Sequence, residues 1–296
     1  MSESLIIKDM SLLSKILVLI KHRLSFSVVF SSIASYLIAF ESFSIFIFLK
    51  LIIGGFFVVG ASNGFNQIIE RKRDALMSRT LNRPLPSESM SVNQALIICS
   101  TMSLIGLFLL YQLNIRTALF GLISMIIYLG LYTPLKPITP LSVFFGAIPG
   151  AIPFMLGWVA VTNKFSIETG ILFMIQFFWQ FPHFWAIGWV SHDDYKNAGF
   201  KMLPSGKRDN ATAFQIVFYT IWMIIVSTLP FFEFTGKLSI GYVSLILILI
   251  SGIIMLIQAF KLMKYKDKQN AIRLMYISIF YLSFIQIIFV IDKFFL

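Results

Sequence analysis

Nine apolar runs of about twenty residues each leave this chain few ways to fold. They lie at about 24–42, 47–68, 93–112, 115–134, 141–161, 169–190, 212–232, 239–260 and 274–291. A helix of roughly 20 apolar residues is long enough to cross the hydrocarbon core of a bilayer. Only 12% of the residues are charged and 58% are hydrophobic, whereas a soluble domain carries roughly a quarter charged residues. The expected fold is therefore all-α: a polytopic integral membrane protein of about nine transmembrane helices. A single membrane-embedded domain is expected over residues 1–296, with 1–20 as a cytoplasmic N-terminal segment. The fifth run is interrupted by Pro149 and Pro153 among Gly146, Gly150 and Gly157. Such breaks are tolerated where the backbone is buried in protein or lines a cavity.

The charges support the same count. Nine spans place 19 lysines and arginines on one side, in the N-terminal segment (including Lys8), the 69–92 loop, Lys136, and the 191–211 and 261–273 loops. The other side receives 5: Lys50, Arg116, Lys164, Lys237 and Lys293. The positive-inside rule puts the N-terminus and the long loops in the cytoplasm and the C-terminus outside. This asymmetry accounts for the net charge of +11 without nucleic acid as a partner. The single cysteine, Cys99, excludes an internal disulfide and a cysteine metal cage. Residues 1–20 lack a small-residue cleavage site and an Arg/Ser-rich character, so neither a signal peptide nor a mitochondrial transit segment is expected.

Polar chemistry gathers in the loops of the cation-rich side. Asn66, Glu70 and Asp74 are spaced i, i+4, i+8 and share one helix face. Three oxygen-bearing side chains in line suit Mg²⁺, a hard cation commonly shared with substrate phosphates. Arg71, Lys72, Arg73, Arg79 and Arg83 follow directly. A metal beside arginines at the mouth of a membrane helix points to a diphosphate on an apolar tail. A second acidic group, Asp193 and Asp194, precedes Tyr195 and Lys201 in the other long loop; the two groups are expected to converge on one site. Lys136 either reaches the same phosphate or merely orients its short loop. His183, inside the sixth run, ligates a metal, holds an acidic group, moves a proton, or is a hydrogen-bonded structural residue. The 32 phenylalanines, 10 tyrosines and 5 tryptophans suit an apolar cavity, and aromatic faces also stabilise cations. A transporter would show midplane charges or an internal repeat, and neither is visible.

At these residues the chain resembles the UbiA superfamily of intramembrane prenyltransferases, and within it the branch that farnesylates haem. The superfamily's N-x-x-x-D-x-x-x-D motif reads Asn66, Glu70, Asp74. Its haem-branch extension reads Met77, Arg79, Thr80, Arg83, Pro84, Leu85. Trp179, Gln180, Pro182, His183 and Phe184 form a further block, and Asp193, Asp194 and Tyr195 open one that runs to Pro204. A Y-T-x-L-K block runs from Tyr132 to Lys136. Glu70 departs from the usual aspartate. Pro137 and Ile138 stand where basic residues are common. Asn197 and Ala198 break the D-x-x-x-D spacing of quinone-type members. The resemblance implies a UbiA-type bundle around a central cavity, and transfer of farnesyl from farnesyl diphosphate to haem B with addition of water. It implies Mg²⁺ held by Asn66, Glu70, Asp74 and Asp194, with Asp193 completing the second acidic group. Tyr195 is implied to position the diphosphate. Arg79, Arg83, Lys136 and Lys201 are implied to bind diphosphate or haem propionates, and His183 to contact the haem. A bacterial cytoplasmic (inner) membrane location with a cytoplasm-facing site follows, with docking to a haem A synthase or a terminal oxidase left open. The alternative is a sister enzyme that prenylates an aromatic quinone precursor or a chlorin.

Overall fold

The computed structural model describes residues 11–295; Lys8, which entered the charge count, lies outside them. The described residues contain helices and no strand. Helix α1 (Leu12–Leu19) meets α2 (His22–Ala39) at a 53° bend. Then follow α3 (Ile45–Asp74), α4 (Val92–Tyr111) and α5 (Ile115–Ile127). A π-helical turn (Tyr128–Tyr132) and a short helical turn (Thr133–Leu135) continue α5. The remainder is α6 (Ser142–Thr162), α7 (Ile167–Val190), α8 (His192–Asn197), α9 (Asn210–Thr228), α10 (Tyr242–Tyr265) and α11 (Lys268–Phe295).

Each expected apolar run corresponds to one of the long helices. Among the described residues seven helices are long and apolar enough to cross a membrane, and the bent α1–α2 pair makes an eighth. Helix α7 has the length, 24 residues, but Gln176, Gln180, Pro182 and His183 reduce its apolar character. Helix starts are fixed by side chains that satisfy otherwise orphaned N–H groups. Ser44 accepts from the Ile47 amide, Asn114 from Thr117 and Asp209 from Thr212. Ser91 and Gln94 form a reciprocal capping box. Asn163 and Lys266 end α6 and α10 in the left-handed conformation.

The fifth run is not broken where the prolines suggest. Helix α6 continues through Pro149 and Pro153, and neighbouring helices donate to its carbonyls there, one of which proline leaves without a donor. Pro153 has no N–H for the Pro149 carbonyl four residues back, and Ser124 Oγ donates to that oxygen at 3.3 Å. Ser32 Oγ donates to the Pro153 carbonyl at 2.9 Å, and Gln180 Nε2 to the Ala147 carbonyl at 2.9 Å. Helix α6 is thereby the buried centre of the bundle, packed on α2, α5 and α7.

One glycine sets how closely α2 and α6 approach. A Cβ on Gly157 would collide with the Ser32 carbonyl and the Tyr36 amide of α2. Gly157→Ala is expected to cost about 1–3 kcal/mol through backbone displacement, read as an earlier thermal unfolding transition in detergent. Gly55→Ala is the control: its Cβ would meet only Val29 Cγ2, at an ordinary 3.6 Å. Equal midpoints for the two variants would contradict the close α2–α6 contact.

Candidate active site

Helices α2, α3, α5 with its π turn, α6, α7 and α11 enclose a cavity of about 520 Å³. Asn66, Glu70 and Asp74 form one polar strip along α3, and all three line the cavity. They are 1%, 5% and 1% exposed, so each must be paired, and each is. Lys136 Nζ lies 2.8 Å from Glu70 Oε1 and donates to Oε2 at 3.0 Å. Arg83 Nη1 donates to Asp74 Oδ2 at 2.8 Å. Asn66 donates to Thr133 Oγ1 at 3.1 Å and accepts from Lys21 Nζ at 3.3 Å. Burial disfavours the Lys136 ammonium, but the Glu70 carboxylate more than offsets this and holds its pKa above the ordinary lysine value. The Lys136 ammonium also sits 4.5 Å from the centre of the Tyr132 ring and 5.4 Å from that of Phe200.

The two long loops close over this polar end. Asp194 accepts from the Ser78 amide at 3.3 Å and from its hydroxyl at 3.0 Å. Arg79 donates to the Tyr195 hydroxyl at 3.3 Å, with its guanidinium 5.5 Å from the ring centre. Thr80 Oγ1 donates to the Asp74 carbonyl at 2.6 Å and turns the chain so that Arg83 faces back to α3. The Lys201 amide donates to the Lys136 carbonyl at 2.7 Å.

The expected residues are therefore divided. Asn66, Glu70, Asp74, Arg79, Arg83, Lys136, His183 and Tyr195 all line the cavity. Asp193, Asp194 and Lys201 do not. The Asp193 side chain is 80% exposed and pairs with Arg208 at 3.2 Å. Asp194, one residue further round the helix, turns to the first loop instead, where Ser78 engages both its oxygens. The Lys201 side chain is exposed, and its contact with Lys136 is through the backbone. Asp194 thus tethers loop to loop, Asp193 pairs within its own loop, and neither joins Glu70 and Asp74; among the described residues no three Asp, Glu, His or Cys side chains gather.

Lys21 is the site residue that sequence reasoning missed. Its left-handed backbone (φ 47°) at the α1–α2 bend turns the ammonium onto Asn66. The only signal was a cation before the first long run, which membrane topology explains equally well. Four cations (Lys21, Arg79, Arg83 and Lys136) and two carboxylates line this end, a formal surplus of two positive charges. Deeper in, apart from His183, the lining is apolar or neutral: Ser31, Pro149, Gln176, Leu282, Gln286 and their neighbours.

The donor chemistry suits Mg²⁺. Three oxygen-bearing side chains share a face, and Glu70 Oε1 contacts Lys136 at 2.8 Å outside hydrogen-bonding geometry. Carboxylate oxygens beside several cations match the donor chemistry of a metal and diphosphate site.

Residues 28–285 match the UbiA prenyltransferase family. The chain is 55% identical to a protoheme IX farnesyltransferase of Flavobacterium psychrophilum over 93% of this chain and 92% of that one. It is 55% identical to a protein of the same name from Christiangramia forsetii over 96% and 95%. The fold is similar to that in a structural study of digeranylgeranylglyceryl phosphate synthase (TM-score 0.79, 23% identity, 96% of this chain and 99% of that one). It is also similar to a UbiA homologue from Archaeoglobus fulgidus bound to DMAPP and Mg²⁺ (TM-score 0.68, 15% identity, 95% and 98%).

Proposed function

The chain belongs to the UbiA prenyltransferase family, and from that premise we propose that it transfers the farnesyl group of farnesyl diphosphate to a vinyl group of haem B. The observation that carries this reading is the two-part cavity, with all its charged residues at one end and an uncharged hollow beyond. A diphosphate fits the first part and a farnesyl chain the second. The relatives named above support haem B as the acceptor; no observation favours a quinone precursor or chlorin.

Asn66, Glu70 and Asp74 would hold Mg²⁺, which when bound supplies positive charge against that developing on the departing diphosphate. Lys21, Arg79, Arg83 and Lys136 bind the diphosphate oxygens and stabilise the same charge. Asp194, through Ser78, and Tyr195, through Arg79, hold the loops closed over them. The farnesyl C1–O bond breaks and its electron pair leaves with diphosphate. The vinyl π pair forms the new bond to C1. Water adds to the carbon left cationic beside the ring and releases a proton. Enclosure in the bundle keeps water from C1 until the vinyl group has reacted. The excess of cations on the loop side supports a cytoplasm-facing site, and the bacterial relatives support an inner-membrane location. A haem A synthase or a terminal oxidase is the consumer of such a product.

The test is a pigment assay. Membranes holding the full chain are given farnesyl diphosphate, Mg²⁺ and haem B, and the extracted haems are separated and weighed. A haem heavier by one farnesyl group and one water is expected. Recovery of unchanged haem B alone, from folded protein, would overturn the acceptor assignment.

A further inference from the structure

His183 stands in the cavity on α7, seven residues from the end of that helix, while Asn66 stands eight residues from the end of α3. Both residues line the one cavity. Ser278 of α11 fixes the state of the imidazole. Its hydroxyl donates to the Met275 carbonyl at 2.7 Å, which uses its one hydrogen. Towards His183 Nδ1, 2.8 Å away, we therefore assign Ser278 Oγ as the acceptor. Nδ1 carries the ring proton, and Nε2 is left with a bare lone pair. The hydrogen bond to Ser278 is made by Nδ1 and not by Nε2. Nε2 is also not among the enclosed polar atoms that lack a hydrogen-bond partner, so it opens to the cavity. Trp179 completes the support. Its indole stacks on the imidazole at 4.5 Å and 16°, and its Nε1 donates to the Ser278 carbonyl at 2.6 Å.

We propose that His183 Nε2 is the axial ligand of the substrate haem iron, with Ser278 and Trp179 as positioning residues. A metal-binding histidine almost always donates its other ring N–H to a fixed acceptor, which sets its tautomer and orientation. The triad of His183, Ser278 and Trp179 has that form. An imidazole lone pair suits iron, whereas Mg²⁺ prefers oxygen, so the α3 strip and His183 serve different metals. The bond is dative: the Nε2 pair enters the iron coordination sphere and nothing is oxidised or reduced. Anchoring the iron in the cavity that the α3 strip also lines holds the macrocycle in the enclosure where the vinyl group must meet farnesyl C1.

The inference rests on haem B being the acceptor, and the test separates the two. Ferric haem B is titrated into the full chain in detergent, followed by absorption and electron paramagnetic resonance. The wild type is expected to give a histidine-ligated spectrum. His183→Ala is expected to lose that signature and to bind haem at least tenfold more weakly; added imidazole is expected to restore the spectrum. Ser278→Ala keeps the ring but frees it, and is expected to weaken haem binding by roughly tenfold. His183→Gln gives the same readout should the alanine variant fail to fold. Haem bound to a His183 variant with an unchanged spectrum overturns the ligand assignment, even if catalysis is lost. A wild type that neither takes up haem nor farnesylates it overturns the reading beneath it.

Discussion

Asp74→Ala is expected to lower kcat/KM for farnesyl transfer by at least ~10³-fold, about 4 kcal/mol of transition-state stabilisation, while the protein still inserts and folds. Asp74 is 1% exposed in the last turn of α3 and holds Arg83 at 2.8 Å. Its loss removes one of two carboxylates from the α3 strip and releases the arginine that faces the diphosphate. The Arg83 side chain is 21% exposed, so once released it has access to water, and the damage to stability is small beside the damage to catalysis. Asp74→Asn keeps the shape and is expected to be as inactive. Initial rates of product formation in vesicles, with a thermal midpoint on the same samples, decide the matter. Full activity in either variant would remove Asp74 from the metal site.

Lys136→Met is expected to destabilise the protein by about 3–5 kcal/mol, because it strands the buried Glu70 carboxylate. Among the described residues Glu70 has no other cation at hydrogen-bonding distance, and the Lys136 and Glu70 side chains are buried, at 10% and 6% exposure. Pairing the change with Glu70→Gln removes the stranded charge and is expected to return much of the stability, since residues in direct contact are not additive. Activity is not expected to return, because the double variant lacks both a proposed metal ligand and a proposed diphosphate-binding cation. Unfolding midpoints for wild type, single and double variants test this. A single variant as stable as wild type would mean that Glu70 reaches water.

Much of the fold was legible because the bilayer reduces the problem to length and polarity. The nine apolar runs and the shared face of Asn66, Glu70 and Asp74 are local patterns. The alignment of that strip is a matter of helical period alone. Three features were not legible. The prolines of α6 looked like a break, since the Ser124 hydroxyl that satisfies the Pro149 carbonyl comes from another helix. Lys21 reaches the site through a left-handed residue at a bend, and nothing in Lys21-His22-Arg23 announces one. Asp193 and Asp194 were adjacent carboxylates in one polar loop. Which faced the cavity depended on the start of α8 to within one residue, finer than a boundary read from sequence. Neither does.

The π-helical turn at Tyr128–Tyr132 acts as a phase shifter. A π turn stores one residue beyond the α-helical count, and one residue is about 100° of rotation in an α-helix. Everything after Tyr132 is therefore clocked a quarter-turn or more from where uninterrupted winding would set it. Thr133 and Lys136 meet Asn66 and Glu70 only in this shifted phase. The active-site pairing between two distant parts of the chain is thus written as an insertion, and a stretch of chain that looks neutral in composition carries it by its length.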